Sequence, residues 1–309
     1  MSTQAPPTID PNAAQRWQHL RKTDPVWLHD EVERRMQERL SWITRQPASF
    51  ARWASNSRNS RDSSDQPVHH LLRSRYPKAT EYVVTTHPVT GSIHMKRVNK
   101  PWWHPARWCT WSRPPIAGAS AGVDMVWANM ALHMSAQPGE WIAQWHKLLA
   151  VDGFLMFSCF GPDTLRELRG LYQEMGWPEP AHEFTDMHDW GDMLVQAGFA
   201  EPVMDMERIT LSFQTPQRLL QELRELGRNL HVGRFAGLRG KGWLARLKQA
   251  LHERLRRDSE GGQLCLSFEI VYGHAFKPAP RLGVAPQTVV SLDEMRQALA
   301  AGKSHRPFP

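Results

Sequence analysis

Residues 123–129 read VDMVWAN, and residues 153–161 read GFLMFSCFG. Neither stretch alternates apolar with polar side chains, and such continuous runs are typical of strands that are buried on both faces of a parallel sheet. Between them lies an apolar stripe with helical spacing, formed by Trp141, Ile142, Trp145, Leu148 and Leu149. Strand, helix and strand in this succession predict a right-handed βαβ unit. Asn129 then lies at the carboxyl end of the first strand, the edge of an open α/β sheet at which ligands bind.

The composition is ordinary for a globular protein. The chain has 309 residues, of which 41% are hydrophobic and 22% are charged. No apolar run is as long as a membrane span, and the first residues lack the apolar segment of a signal peptide, so we expect a cytoplasmic protein without a membrane partner. The three cysteines (Cys109, Cys159 and Cys265) are far apart and form no CxxC pair, which argues against disulfides or a zinc site.

The pattern along the chain predicts three segments. Residues 1–45 form an N-terminal helical segment, in which residues 1–22 show no regular pattern and a strong helix carries Leu28, Val32, Met36, Leu40 and Ile43. Residues 46–275 predict one α/β domain, with little regular structure over residues 86–121. Residues 276–309 form a Pro-rich tail with a short helix.

The first part of the α/β domain predicts further elements of the sheet. Short strands are expected at the start of residues 48–65 and over residues 82–85, with a helix from Pro67 to Tyr76.

Two later stretches, residues 203–213 and 264–272, alternate apolar and polar side chains, and we interpret them as an antiparallel pair at one edge of the sheet. Residues 214–262 between them predict a two-helix insertion. From Glu207 to Arg257 the chain has 12 Lys and Arg but only 4 Asp and Glu. Such a basic surface suits an acidic protein or nucleic acid, and it is also compatible with solvated helix faces that bind nothing.

Several motifs resemble one known family. Residues 124–134 read DMVWANMALHM, which resembles the fourth-strand motif of class I S-adenosylmethionine-dependent methyltransferases, Asp-Leu-Val-x-Ser-Asn-x-x-Leu-His-Trp. Four further stretches resemble the malonyl-carrier-protein methyltransferases of biotin synthesis: FSCFGPDTLREL (157–168), DMHDWGDML (186–194), GFAEPVMD (198–205) and SFEIVYGHAF (267–276). A methyltransferase-fold assembly factor of respiratory complex I shares much of this pattern.

The resemblance implies a fold, a cofactor and an activity. The fold is an α/β, Rossmann-like, mostly parallel sheet that ends in an antiparallel strand pair, with the helical insertion between the last two strands. The cofactor is S-adenosylmethionine, and the activity is methyl transfer to a carboxylate. The residues placed against the cofactor are Trp53, Ser55, Asn56, His87, Asn129 and His133.

The first half of the chain departs from the family at three positions around the cofactor. The family has Asp/Glu-x-Gly-x-Gly after the first strand, whereas this chain has no glycine before Gly91. His87 stands in place of the acid that ends the second strand, and the acid on the adenine side is missing from residues 109–113. Asn56 and Asn59 are residue types that adopt left-handed conformations in place of glycine. These substitutions predict weak binding of S-adenosylmethionine, or none.

The resemblance also places the substrate-binding cap in the basic insertion. A carboxylate is ionised at neutral pH, so its methylation requires alignment rather than a general base, and no catalytic residue is predicted. The candidates to bind the substrate carboxylate through a guanidinium fork are Arg224, Arg228, Arg234 and Arg239, and the alternative is that they are ordinary surface arginines. The acidic residues Asp186 and Asp189 do not predict a metal site, because Asp189 is more simply explained as the start of a helix.

Two functional hypotheses follow. The first is an active carboxyl methyltransferase that acts on an acyl group attached to an acidic acyl carrier protein. The second is a catalytically inactive methyltransferase-fold protein that keeps the carrier-binding or partner-binding surface. Nucleic acid is not the expected partner under either hypothesis. Fold alone does not decide between the two.

Overall fold

The computed structural model describes residues 8–19, 27–54, 69–86, 93–98, 122–257, 261–280, 292–293 and 295–297. The chain divides into two compact units, Met1–Pro278 and Ala279–Pro309. In the second unit, the described residues 292–293 and 295–297 are helical. The further division of the first unit near residue 45, which the sequence suggests, stays a prediction.

One sheet organises the first unit. Its strands are β1 (Ser49–Ala54), β2 (Thr80–Thr86), β3 (Ile93–Arg97), β4 (Val123–Ala128), β5 (Leu149–Phe160), β6 (Ala200–Phe213), the two-residue β7 (Arg256–Arg257) and β8 (Gln263–Phe276). The order is β3-β2-β1-β4-β5-β8-β6, and β7 pairs with β8. Strands β2, β1, β4 and β5 are parallel, whereas β8 runs antiparallel to both β5 and β6. The sheet is thus that of the class I methyltransferase fold, as the sequence predicted.

Eight α-helices occur in the described part of the first unit: α1 (Pro11–His19), α2 (Trp27–Arg39), α3 (His69–Arg75), α4 (Pro138–Leu148), α5 (Arg166–Glu174), α6 (Met187–Gln196), α7 (Pro216–Leu226) and α8 (Lys241–Arg254). Local sequence explains where the best-marked helices begin. The Thr215 side chain accepts a hydrogen bond from the Arg218 N–H at the start of α7, and Pro216 suits the first turn. No helix within the described ranges is long and apolar enough to cross a membrane.

The core lies on both faces of the sheet. On β4, Met125 and Trp127 pack toward α2, and Val126 and Ala128 pack toward α4. Gly273 of β8 lies opposite Phe157 of β5, and a Cβ at this glycine would lie 2.1 Å from the Phe157 ring. The missing side chain therefore leaves room for the aromatic ring in the middle of the sheet.

The structure confirms the central and edge pairings that the sequence predicted. Met125 lies opposite Phe154 in the parallel β4–β5 pair, and β6 pairs with β8 at one edge of the sheet. The insertion that connects these two strands lies outside the sheet, except that its last residues form β7 and pair with β8. The predicted alternation of β8 does not correspond to one exposed face, because β8 lies between β5 and β6 and is buried over most of its length.

The structure adds to or departs from the sequence expectations at three places. Residues 1–22 were expected to be irregular, but they contain α1, which Trp17 and Ala14 anchor in a small apolar cluster with Leu230. Residues 86–121 contain β3, which pairs antiparallel with β2. The helix α6 is capped by Asp186, whose side chain accepts a hydrogen bond from the His188 N–H, and not by Asp189. The Trp cluster at residues 102–111 lies outside the described residues.

Candidate functional site

Asn129 follows directly after β4 and anchors α2 over the carboxyl end of the sheet. Its amide nitrogen donates to the carbonyl oxygen of His29 at 2.9 Å and to Glu33 Oε2 at 3.4 Å. Its amide oxygen accepts a hydrogen bond from Ser158 Oγ on β5 at 2.7 Å. The side chain therefore joins β4, β5 and α2 in one polar network at the edge where ligands bind in this class of fold.

Met130 has a left-handed backbone, with a φ of 48°. Its N–H donates to Ser158 Oγ at 3.0 Å, so the same serine holds both Asn129 and Met130. A non-glycine residue in this region costs about 1–3 kcal/mol and persists where surrounding contacts fix it, commonly beside functional sites. The hydrogen bonds of Ser158 to Asn129 and Met130 thus fix the turn after β4.

A cluster of buried charges lies on the α2 side of β1, β2 and β4. Glu81 is 1% exposed and pairs with both Arg52 and Arg73. Glu33 accepts a hydrogen bond from Trp127 Nε1 at 3.2 Å. Burial is the largest influence on Glu33 and raises its pKa to about 7, although Arg52 nearby favours the ionised form. Glu33 and Glu81 are therefore already matched to protein groups.

The structure places the predicted cofactor residues in different parts of the molecule. Asn129 and His133 both follow β4, and the His133 ring is buried against Phe160 with 4.4 Å between ring centroids. Trp53 packs on the other face of the sheet, against Trp141 and Trp145. The remaining predicted residues, Ser55, Asn56 and His87, together with Asn59, lie outside the described residues.

The turn after β4 fits S-adenosylmethionine by its position, because the carboxyl ends of β1 and β4 are where this fold binds its ligand. The side chain of Asn129 adds little to that fit, since both of its amide atoms already bond to the protein.

A cavity of about 240 Å³ lies on the acceptor side, beyond the carboxyl ends of β4 and β5. Its wall is largely apolar: Met134, Phe160, Leu165, Leu168, Phe184, Leu220, Leu223, Leu226 and Phe268. Arg224 and Arg228, two of the four predicted substrate arginines, lie at this cavity, which we call the acceptor cavity. Among the described residues, the guanidinium of Arg224 has no hydrogen-bond or ion-pair partner, whereas that of Arg228 donates to the carbonyl oxygen of Gly227 at 2.9 Å.

His182 is a buried polar residue in the cavity wall. Its Nε2 donates to the carbonyl oxygen of His133 at 2.7 Å, because a carbonyl only accepts, and this contact fixes the tautomer. Burial lowers the pKa of His182 to about 4, with Arg169 contributing to the same direction. The imidazole is therefore neutral near pH 7.

The other two predicted arginines do not line the cavity. Arg234 donates to Asp10 Oδ2 at 2.7 Å, which ties the insertion to the segment before α1. Arg239 stacks between two aromatic rings, with its Cζ 4.5 Å from the Phe235 centroid and 3.9 Å from that of Trp243. Within the described ranges, no group of three acidic, His or Cys side chains is arranged to hold a metal ion.

Glu33, Ser158 and His182 belong to the site but were not singled out from the sequence. Glu33 was detectable, because it follows Val32 and precedes Met36 by three positions, which places it beside the apolar stripe of α2. Ser158 and His182 carry no local signal, since their partners Asn129 and His133 are distant in sequence.

Comparisons with known proteins gave the following results. No family model matches the chain. The malonyl-[acyl-carrier protein] O-methyltransferase of Gallionella capsiferriformans (strain ES-2) is 38% identical over 268 residues, which cover 82% of this chain and 86% of that protein. The enzyme of the same name from Laribacter hongkongensis (strain HLHK9) is 39% identical over 219 residues, or 68% of this chain and 72% of that protein. A solved structure of a putative methyltransferase from Bacillus halodurans C-125 superposes with a TM-score of 0.44 at 11% identity and covers 79% of this chain and 99% of that one.

Proposed function

The chain belongs to the malonyl-[acyl-carrier protein] O-methyltransferase family, and we propose that it transfers a methyl group to the free carboxylate of a malonyl group held on an acyl carrier protein. S-adenosylmethionine, the cofactor of this family, supplies an electrophilic methyl group on its sulfonium. The acceptor is already ionised near neutral pH, so the protein has to position it and exclude water rather than remove a proton.

The acceptor cavity is the observation that supports this proposal most directly. It lies beside the carboxyl ends of β4 and β5, is closed mainly by apolar side chains, and has Arg224 and Arg228 at its boundary. Arg224, whose guanidinium lacks a described partner, would bind the carboxylate through two parallel hydrogen bonds. The volume of about 240 Å³ exceeds the 150 Å³ or so of a cavity that holds benzene, so it leaves room for part of the thioester arm as well.

The protein groups around the cavity have separate tasks in this mechanism. Phe160 and Phe184 would keep water from the reacting atoms, with 5.5 Å between their ring centroids. The neutral His182 adds no charge that would compete with the arginines for the carboxylate. The turn at Met130, held by Ser158, would carry the backbone contacts to the cofactor. Ser55, Asn56 and His87 would complete that contact.

The partner that we propose is an acyl carrier protein with an acidic surface. The 12 basic and 4 acidic residues between Glu207 and Arg257 support this choice, and nucleic acid is the alternative that a binding comparison tests. Charges at such a surface mainly raise the association rate and lose their effect with salt. Charge reversal at Arg228, Arg234 and Arg239 is expected to slow association with the carrier at low salt. Unchanged association, or preferential binding to duplex DNA, would contradict the proposed partner.

A second candidate function is partner binding without methyl transfer. The observations that favour it are the lack of glycine before Gly91 and the use of both Asn129 amide atoms within the protein. Loss of two charged hydrogen bonds to a cofactor corresponds to about 3–6 kcal/mol, or two to four decades in affinity. The two candidates therefore differ in one measurable quantity, the affinity for S-adenosylmethionine.

The test combines a titration with an assay. S-adenosylmethionine is titrated calorimetrically into the purified chain, and methyl transfer to malonyl-carrier protein is followed with the labelled cofactor. Rescue of a biotin auxotroph that lacks its own methyltransferase gives an independent readout. Methyl transfer together with rescue supports the enzyme. Carrier binding without detectable cofactor binding supports the second candidate.

A further inference from the structure

The loop between α7 and α8, residues 227–240, presents large apolar side chains to solvent. Val232 is 59% exposed, Phe235 is 50% exposed and Leu238 is fully exposed at 102%. We call these three residues the apolar patch. Exposed apolar side chains that occur singly need no explanation, but several on one short loop are typical of an interaction site.

The loop that carries the apolar patch is held in place by the N-terminal segment. The Asp10 N–H donates to the carbonyl oxygen of Leu230 at 2.8 Å, and the Val232 N–H donates to that of Thr8 at 2.9 Å. The ion pair between Arg234 and Asp10, at 2.7 Å, adds a side-chain link. A surface whose backbone is fixed in this way loses little conformational entropy when a partner binds.

Basic residues flank the apolar patch along the chain. Between Glu225 and Glu253 the chain has six Lys and Arg residues and no Asp or Glu. Arg239 is held directly beside Phe235 by its stacking on that ring and on Trp243. An apolar centre with a cationic margin is complementary to a partner that offers apolar side chains within an acidic surface.

The position of the apolar patch relates it to the acceptor cavity. Gly227, Arg228 and Asn229 line that cavity, and the same loop continues into Val232. A partner that sits on the apolar patch thus contacts the loop whose first residues line the cavity, which suits the delivery of a flexible arm into it. A membrane surface would also be anionic, but it offers no substrate arm for the adjoining cavity.

We propose that the apolar patch, together with Arg239 and Lys241, is the surface on which the acidic carrier protein docks, with Leu238 and Phe235 buried at the centre of the interface. This inference rests on the proposed function, because the carrier is the substrate of that function. It adds that apolar contacts, and not charge alone, hold the carrier next to the acceptor cavity. Central apolar anchors commonly dominate the affinity of an interface.

The experiment compares variants of the full chain by direct titration with malonyl-carrier protein, without the cofactor. Leu238→Ser and Phe235→Ser are each expected to weaken binding about 10- to 30-fold. Val195→Ser is the matched control, because Val195 on α6 is also exposed, at 56%, but lies outside the insertion. The Val195→Ser variant should bind malonyl-carrier protein with the affinity of the unmodified chain. Since no turnover is needed, a chain that binds the carrier but transfers no methyl group contradicts only the proposed function.

A second readout separates docking from the chemistry of the acceptor cavity. If the chain is active, Leu238→Ser should raise KM for malonyl-carrier protein and leave KM for malonyl-pantetheine unchanged, because free pantetheine has no protein surface to dock. Equal affinity of all three variants for the carrier would overturn the inference. So would a Leu238-dependent association with phosphatidylglycerol vesicles in the absence of carrier binding.

Discussion

The α2 side of the sheet and the acceptor cavity differ in how their charged side chains are paired. On the α2 side, Glu33 and Glu81 are buried and matched to protein groups. On the acceptor side, Arg224 is exposed beside an apolar cavity, and its guanidinium has no partner among the described residues. Removing one member of a buried pair leaves the other charge uncompensated and lowers stability, whereas an exposed charge without a protein partner is available to a ligand. Substitutions on the two sides should therefore change different quantities.

The largest effect is expected on the α2 side of the sheet, from Glu81→Ala. This change leaves Arg52 and Arg73 without the carboxylate that now pairs with both. Removal of one partner from a buried ion pair costs about 3–5 kcal/mol of stability. The measurement is urea unfolding. Glu38→Ala is the control, because Glu38 is 60% exposed and its surface pair with Arg34 contributes less than about 1 kcal/mol. Equal losses for the two variants would contradict the proposed contrast.

The next largest effect is a pH dependence of the stability that arises from Glu33. Burial raises the folded-state pKa of Glu33 from 4.5 to about 7, so the folded protein binds this proton more tightly than the unfolded chain does. The resulting stability is complete below about pH 4.5 and is lost as the pH rises through 7, a difference of about 3 kcal/mol. Glu33→Gln cannot ionise and should lose this dependence. Urea unfolding at pH 5 and pH 8.5 gives the unfolding free energy of the unmodified chain and of Glu33→Gln. The same change between the two pH values in both proteins would contradict the prediction.

The sequence predicted the sheet well because the sheet depends on local pattern. The apolar runs at β4 and β5 and the stripe on α4 are set by neighbouring residues, and each was found. The helix α1 was missed, because its position depends on the contact of Trp17 with Leu230, which is remote in sequence. The strand β3 was missed because its partner β2 supplies the pairing, while its own burial pattern is weak.

The site was predicted less completely for the same physical reason. Asn129 was placed correctly at the end of β4, since a strand boundary fixes it. Its bonds to Ser158 and His29 join three elements that the sequence does not bring together by pattern. The weak binding of S-adenosylmethionine expected from the missing glycines stays a prediction, because Ser55, Asn56 and His87 lie outside the described residues.

The acceptor side is tested by Arg224→Ala. Loss of hydrogen bonds to a charged group corresponds to about 1.5–3 kcal/mol, so kcat/KM for malonyl-pantetheine should fall roughly 10- to 150-fold. The unfolding free energy should stay within about 0.5 kcal/mol, because the side chain is exposed. Arg246→Ala serves as the control, since Arg246 is an exposed arginine of the same insertion and does not line the acceptor cavity. A loss of stability without a loss of kcat/KM would reverse the assignment of the two sides.

The smallest effect is expected from Ser158→Ala, which tests the polar network that joins β4, β5 and α2 beside Asn129. The variant leaves the Met130 N–H and the Asn129 amide oxygen without Ser158 Oγ, at a cost of roughly 1–2 kcal/mol. It also releases the left-handed turn that we propose contacts the cofactor. The affinity for S-adenosylmethionine, measured by calorimetry, should therefore fall several-fold in addition to the loss of stability.

Ser267→Ala separates these two consequences. Ser267 is likewise buried, and its Oγ donates to Glu167 Oε1 at 2.6 Å, but it lies on β8 away from the Met130 turn. Ser267→Ala should lower the unfolding free energy about as much as Ser158→Ala does, and it should leave the affinity for S-adenosylmethionine unchanged. Equal shifts in affinity for the two variants would mean that cofactor binding follows global stability. A shift in Ser158→Ala alone would mean that the network beneath Asn129 positions the backbone for the cofactor, although its side chains are already paired within the protein.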